Sequence, residues 1–219
     1  MNLILDLLFP NRCLGCQNII DANDAVCDAC VSLIDFANFS FTETNLLEQK
    51  CRLLFPTEKA VALMLYQKSG LSQKIIHELK YNGRSIIGKT LAKWTVEKNI
   101  LSSFGIDIIT SIPLHPRKQK ERGYNQLHHF VEYISKETKI PYSHNLLKRN
   151  FYSKPQAQKD REHRSEIKNL FSVQCAIQDK HILLIDDVYT TGNTISSAAW
   201  ELIKKGNNKI SILVMAVDF

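Results

Sequence analysis

The chain has 219 residues, 44% of them hydrophobic and 23% charged, with a formal net charge of +6. This describes an ordinary soluble globular protein, one domain or a domain with a small appendage, large enough to bury a full core. No stretch approaches the length of a membrane span, residues 1–10 lack both a basic start and a small-residue cleavage site, and a sequence pI of 8.9 falls short of a dedicated nucleic-acid domain. A cytoplasmic location is therefore expected.

Leu3, Leu7 and Leu8 give residues 2–9 an apolar face, read as a short helix ended by Pro10. Cys13, Cys16, Cys27 and Cys30 follow as two Cys-x-x-Cys turns separated by ten residues. Two such chelating turns can bring four thiolates to the corners of a tetrahedron, the number and geometry of structural zinc. Disulfides are the alternative, and a reducing cytosol disfavours them. A closed four-thiolate site leaves no coordination position for catalysis. Its role is structural, since so small a lobe is marginal alone and zinc supplies on the order of 10 kcal/mol. Residues 1–50 are assigned to this lobe and residues 51–219 to the main domain. Residues 35–56 show little periodicity and join the two, and Cys51 and Cys175 are read as buried thiols.

In the main domain, residues 60–66 read as a strand, and Ile75, Ile76 and Leu79 mark one face of a helix. Residues 83–90, GRSIIGKT, match the phosphate-binding loop pattern G-x-x-x-x-G-K-T letter for letter. That loop requires a strand leading in, whereas residues 72–81 are helical in pattern, so Lys89 is expected to face solvent from a helix continued by Ile87, Leu91 and Trp94. Residues 106–113 read as a buried strand, followed at its carboxyl end by the basic loop His115, Pro116, Arg117, Lys118, Lys120, Arg122 and Gly123. Open parallel sheets bind ligands at that end. Residues 115–168 hold thirteen Lys or Arg against six Asp or Glu, so the basic character of the chain is regional and suits a pyrophosphate or a nucleic-acid backbone. Leu127, Phe130, Val131 and Ile134 form the next apolar stripe, residues 148–168 a long polar segment suited to a flap, and residues 171–173 a strand.

Three signals then meet in residues 182–194, ILLIDDVYTTGNT. An apolar strand ends in Asp186 and Asp187, a turn holds Thr190, Thr191 and Gly192, and Asn193 and Thr194 open a helix carrying Ile195, Ala198, Ala199 and Leu202 on one face. The helix start offers unpaired N–H groups to an anion, Gly192 permits close approach, and the threonines add hydroxyls. The acids repel phosphate but accept hydrogen bonds from ribose hydroxyls or hold Mg2+. This unit resembles the phosphoribosyl-pyrophosphate (PRPP) signature of type I phosphoribosyltransferases, with Tyr189 where many members carry a smaller aliphatic residue. In that family the acids contact the ribose hydroxyls and the loop amides wrap the 5'-phosphate. Residues 210–217 close the sheet with a continuous apolar run, and the alternation of strands and helices argues an α/β domain with a mainly parallel sheet.

The whole order of parts resembles the ComF family, phosphoribosyltransferase-like proteins associated with bacterial DNA uptake. The parts are the four-cysteine lobe, Leu79-Lys80-Tyr81 with Gly83, Pro113-Leu114-His115, Arg122-Gly123-Tyr124-Asn125-Gln126, Gln156 with Arg161, and the Asp-Asp-Val-Tyr-Thr-Thr-Gly unit. Lys205 and Asn207 beside Gly206 depart mildly from the smaller residues expected there. The resemblance implies a type I phosphoribosyltransferase-like fold whose mainly parallel sheet is flanked by helices, with a small N-terminal zinc lobe. It also implies PRPP or a related ribose phosphate as ligand with Mg2+, and other competence proteins as partners. In that scheme Asp186, Asp187 and Arg122 are catalytic, Thr190 to Thr194 with Arg117, Lys118, Arg161 and Arg164 bind substrate, and residues 148–168 are the flap. The acceptor has no recognisable segment, and the substrate-covering hood falls to the zinc lobe. A second expectation is a non-catalytic protein that handles single-stranded DNA on the same fold.

Overall fold

The computed structural model describes residues 10–81, 85–101, 105–150 and 170–219. The helix expected over residues 2–9, Gly83 of the GRSIIGKT stretch, and Gln156, Arg161 and Arg164 lie outside the described residues. In chain order the elements are α1 (Asp28–Val31), α2 (Leu46–Arg52), β1 (Ala60–Leu65), α3 (Leu71–Tyr81), α4 (Ser85–Glu97), β2 (Ile108–Ser111), α5 (Pro116–Arg122), α6 (His128–Thr138), β3 (Leu147–Arg149), β4 (Phe171–Val173), β5 (His181–Tyr189), α7 (Asn193–Gly206) and β6 (Lys209–Val217).

Four strands form one parallel sheet in the order β1-β6-β5-β2. The two central strands, β6 and β5, are paired along both edges. Leu183, Leu184, Ile185, Leu213, Val214 and Met215 are fully buried, as strands covered on both faces must be. Helices α4 and α6 pack together where Gly88 meets the backbone of Phe130 and Gln126, and α7 packs on β4, β5 and β6. This is the mixed α/β fold with a parallel sheet that the alternation predicted. Residues from the N-terminal fifty join the sheet edge. Ala37 N–H donates to Leu63 O at 3.0 Å, Leu65 N–H to Asp35 O at 2.8 Å, and Phe36 bridges Met64 antiparallel.

Several expectations need correction. Residues 35–56 contain helix α2, whose seven residues are too few for periodicity to show; Asn45 caps it by accepting from Glu48 N–H at 3.0 Å. The apolar strand does not end at the acids. β5 continues to Tyr189 because β6 runs beside it, pairing Asp186 with Val214, Val188 with Ala216 and Tyr189 with Val217. The strand predicted over 106–113 is shorter, Ile108–Ser111. The basic stretch is a helix rather than a loop: Pro116 is pre-shaped for a first turn, His115 Nδ1 accepts from Arg117 N–H at 3.1 Å, and Gly123 closes it with φ 75°. Cys175 is exposed, while Cys51 is buried as expected. Lys89 is an exposed residue of α4, as expected.

Candidate functional site

Parallel pairing sets the geometry. Ser111 of β2 lies beside Ile185 of β5, and Ile112 N–H donates to Ile185 O at 2.8 Å. The chain leaving β2 towards α5 therefore starts one residue from Asp186, at the carboxyl end of the sheet. Asp186 is half-buried, and burial together with the charge of Asp187 pushes its carboxyl up to about 8. The Asp187 N–H, which donates to Asp186 Oδ1 at 2.9 Å, and the charges of Lys80 and Arg149 oppose that rise. Two adjacent acids held this way accept a cation or hydroxyl donors in exchange for relief of their repulsion.

Asp187 is 8% exposed and has partners on both oxygens. Lys80 Nζ sits 3.1 Å from Oδ1, and Gln126 Nε2 donates to Oδ2 at 2.7 Å. The amide continues outward: Gln126 Oε1 accepts from Arg122 Nη1 at 3.0 Å, and the Arg122 guanidinium lies 5.1 Å from the centre of the Tyr81 ring. Tyr124 ties the same turn to α3 by donating to Leu79 O at 2.6 Å. Side chains from α3, α5, the 123–127 turn and β5 thus form one chain of contacts ending on the acid. Lys80, Tyr124 and Gln126 belong to motifs visible in the sequence, yet nothing in the spacing placed them on Asp187.

Arg149 is a further cation that the sequence reading passed over. It is half-buried on β3, near the ring of Phe171, and its attraction to Asp186 opposes the effect of burial on its own basicity. Burial and the charges of Arg117 and Arg149 hold His115 below its ordinary value, so these three groups share one field. Arg122 reaches the acids through Gln126. Arg117 is exposed and Lys118 half-buried on the same short helix.

The turn after β5 is shaped by Tyr189. Its ring is buried, its hydroxyl is hydrogen-bonded with the Cys51 thiol, and burial pushes both groups up to about 12, so both are neutral at physiological pH. Gly192 lies against that ring with φ 77°, and a Cβ there would meet Leu54 Cδ1 at 2.6 Å and the Tyr189 hydroxyl at 2.7 Å. Only glycine fits. It caps α7 without a side chain, so no side-chain cap occupies the first turn, while Thr190, Thr191 and Asn193 are exposed and Thr194 half-buried. The fourteen-residue helix directs its positive end at this turn.

The four cysteines converge. Their Sγ atoms lie within 4.8 Å of one another, with Cys16 and Cys27 at 3.7 Å, near the roughly 3.8 Å edge of a tetrahedron with 2.3 Å metal–sulfur bonds. Cys13 Sγ accepts from the Gly15 and Cys27 amides at 3.3 Å each. Burial raises the Cys13 thiol, but backbone hydrogen bonds from Cys27, Cys16 and Gly15 outweigh it and bring the group down to about 6. Cys30 is pushed up to about 12 by burial and by its neighbouring thiols, a crowding that a divalent cation would relieve. Gly15 makes the approach possible, since a Cβ there would sit 2.6 Å from Cys30 Sγ. The donor set, number and spacing fit structural zinc.

A family model described as a double zinc ribbon domain matches residues 4–41. The DNA utilization protein YhgH of Escherichia coli O157:H7 is 27% identical over 144 residues, a match that spans 63% of this chain and 63% of that protein. Competence protein F of Haemophilus influenzae is 25% identical over 226 residues, covering 95% of this chain and 97% of its own length. The chain is thus a relative of these competence and DNA utilization proteins, which bears out the resemblance to the ComF family. Among solved structures, purine phosphoribosyltransferase from Pyrococcus horikoshii Ot3 overlays 72% of this chain and 78% of its own at 18% identity and a TM-score of 0.36. The fold class itself stands on the sheet order and register. No helix among the described residues is long and apolar enough to cross a membrane.

Proposed function

We propose that the acid pair, the 190–194 turn and the basic helix α5 bind PRPP with Mg2+, and that the protein is a phosphoribosyltransferase-like enzyme acting in the handling of incoming DNA. The observation that carries this reading is the chain Lys80, Asp187, Gln126, Arg122, which ties a ribose-binding type of acid to a cation of the basic helix in two contacts through Gln126 and to Lys80 in a third. Asp186 and Asp187 accept hydrogen bonds from the ribose hydroxyls, Lys80 giving way at Asp187 Oδ1. The amides at the start of α7, with Thr190, Thr191, Asn193 and Thr194, hold the 5'-phosphate at Gly192. Arg117, Lys118 and Arg122, joined by Arg149, face the pyrophosphate and stabilise the charge that develops as it leaves; Arg161 and Arg164 are further candidates for that role. Mg2+, when bound, supplies neutralisation of the pyrophosphate oxygens. Residues 1–50 act as the metal lobe and 51–219 as the phosphoribosyl domain, in the cytoplasm, with other competence proteins as partners.

Calorimetric titration of Mg2+ and PRPP into the zinc-loaded protein tests the reading. Binding is expected for the wild type and is lost in Asp186→Asn/Asp187→Asn; a folded wild type that gives no heat refutes it. The name of the YhgH relatives favours one second reading, a binder of single-stranded DNA through the exposed face of α5, where Arg117 and Lys120 stand. Strand binding through many phosphates weakens steeply and linearly on a log–log plot against salt, whereas a pocket for one small ligand has a shallow slope.

A further inference from the structure

A separate group of basic side chains lines a cleft between the start of α6 and strand β3. The cleft measures about 340 Å3, at the small end of ordinary ligand pockets. His128 comes from α6, His144 from the segment that places Tyr142 parallel to Ile109 of β2, and Lys148 and Arg149 from β3. No carboxylate of the described residues lines it, whereas Glu78 lines the cleft beside α3, and Asp24, Asp28 and Glu97 line the one beside α4.

The basic wall is held in place. The rings of His128 and His144 stack with centres 3.7 Å apart and 18° between their planes. Glu132, which does not line the cleft, fixes the second ring with Oε1 3.3 Å from His144 Nε2. Burial and the charge of His144 bring His128 down to about 4, so a like charge is felt across the stack and an anion facing both rings relieves it. Gln119 and Asn145 add exposed amides at the rim.

This cleft differs from the acid-pair site. Neither acid, no residue of the 190–194 turn and none of Arg117, Lys118 and Arg122 lines it. The loop after β2 enters it as Pro113, Leu114 and Pro116, two of which have no N–H, so with Leu147 it supplies an apolar floor rather than anion-binding amides. Arg149 joins the two sites, because its charge also acts on Asp186.

We propose that the cleft between α6 and β3 binds a small phosphate monoester, its dianionic phosphate held by Lys148, Arg149 and the two imidazoles and its short carbon skeleton laid on Pro113, Leu114 and Leu147. Two cations match a dianion, and the volume leaves room for few carbons beyond it. A dianion here competes with Asp186 for the charge of Arg149, so occupancy of the cleft is felt at the acid pair. The site stands whether or not the acid pair binds PRPP.

Proton NMR of the imidazoles in the zinc-loaded full chain reads the cleft directly. Glycerol 3-phosphate at millimolar concentration, fixed pH and fixed ionic strength is expected to move the His128 and His144 signals, assigned with His128→Gln and His144→Gln. His181, at the opposite end of β5, should stay in place. Affinity should fall roughly tenfold in Arg149→Gln, the size of one lost hydrogen bond to a charged group. It should fall roughly threefold in Lys148→Gln, whose ammonium is exposed and more screened, and this variant carries the test if the half-buried Arg149 is needed for folding. Signals that do not move, that move as far with an equal ionic strength of chloride, or that move only with an unphosphorylated thymidine oligonucleotide overturn the proposal. An affinity unchanged in both variants overturns it as well. Neither Mg2+ nor PRPP enters this experiment, so a failed PRPP titration leaves its result standing.

Discussion

The zinc lobe and the acid pair are both clusters of like groups brought close, and they resolve the crowding in opposite ways. In the lobe four sulfurs converge within 4.8 Å of one another, with the Gly15 and Cys27 amides pointing at Cys13. At the acid pair the protein supplies its own partners, Lys80 and Gln126 on Asp187, with Arg149 nearby. The first arrangement is built around a permanent occupant. The second is satisfied by partners that can exchange, which is what a site for a ligand that comes and goes requires.

Removing zinc with a chelator, or Cys30→Ser, should break the comparison most severely. Residues 10–50 lose their fold and with it the pairing of Asp35 and Ala37 to β1. Structural zinc is worth on the order of 10 kcal/mol, so limited proteolysis should cut the lobe rapidly while the sheet core outlasts it. Uniform resistance in both states would show that the lobe does not depend on metal.

Gly192→Ala tests whether the turn is as constrained as the lobe. A left-handed backbone costs a non-glycine residue about 1–2 kcal/mol, and the contacts with Leu54 and Tyr189 add to it. The expected loss is about 2–6 °C in Tm. An unchanged Tm would mean that the ring and Leu54 move aside freely.

At the acid pair the sign reverses. The folded state holds the Asp186 proton up to about 8, well above the ordinary 3.8, so the stability linked to it is present below about pH 4 and is lost as pH rises through 8. In Mg2+-free buffer at pH 8 to 9, Asp186→Asn should therefore raise Tm by a few degrees even though it removes ligand binding. A fall in Tm would show that the carboxylate is well compensated in the free protein. The smallest effect belongs to His128, which burial and its stacked neighbour His144, 3.7 Å away, bring down to about 4. The unfolded chain protonates this group first, so stability declines as pH falls from about 6.5 towards 4, and His128→Gln should flatten that limb of the Tm profile.

The lobe was legible in the sequence because its ligands lie within eighteen residues and their spacing is their geometry. The turn was legible for the same reason: one strand, one glycine and one helix start are local. The α/β class followed from the alternation of apolar runs. Helix α2 and the helical form of the basic stretch were missed because seven-residue elements held by caps leave no periodicity, and the strand was ended too early because backbone pairing with β6, not side-chain polarity, decides where β5 stops. The partners of Asp187 were beyond reach. Lys80, Gln126 and Arg122 are 107, 61 and 65 residues away in the chain, and only the parallel order β1-β6-β5-β2 carries α3 and the 123–127 turn to the same sheet end. Residue type alone determined which groups could bind a metal, an anion or a sugar. Which of them meet was decided by the sheet, because a contact between distant residues depends on where whole strands and helices pack.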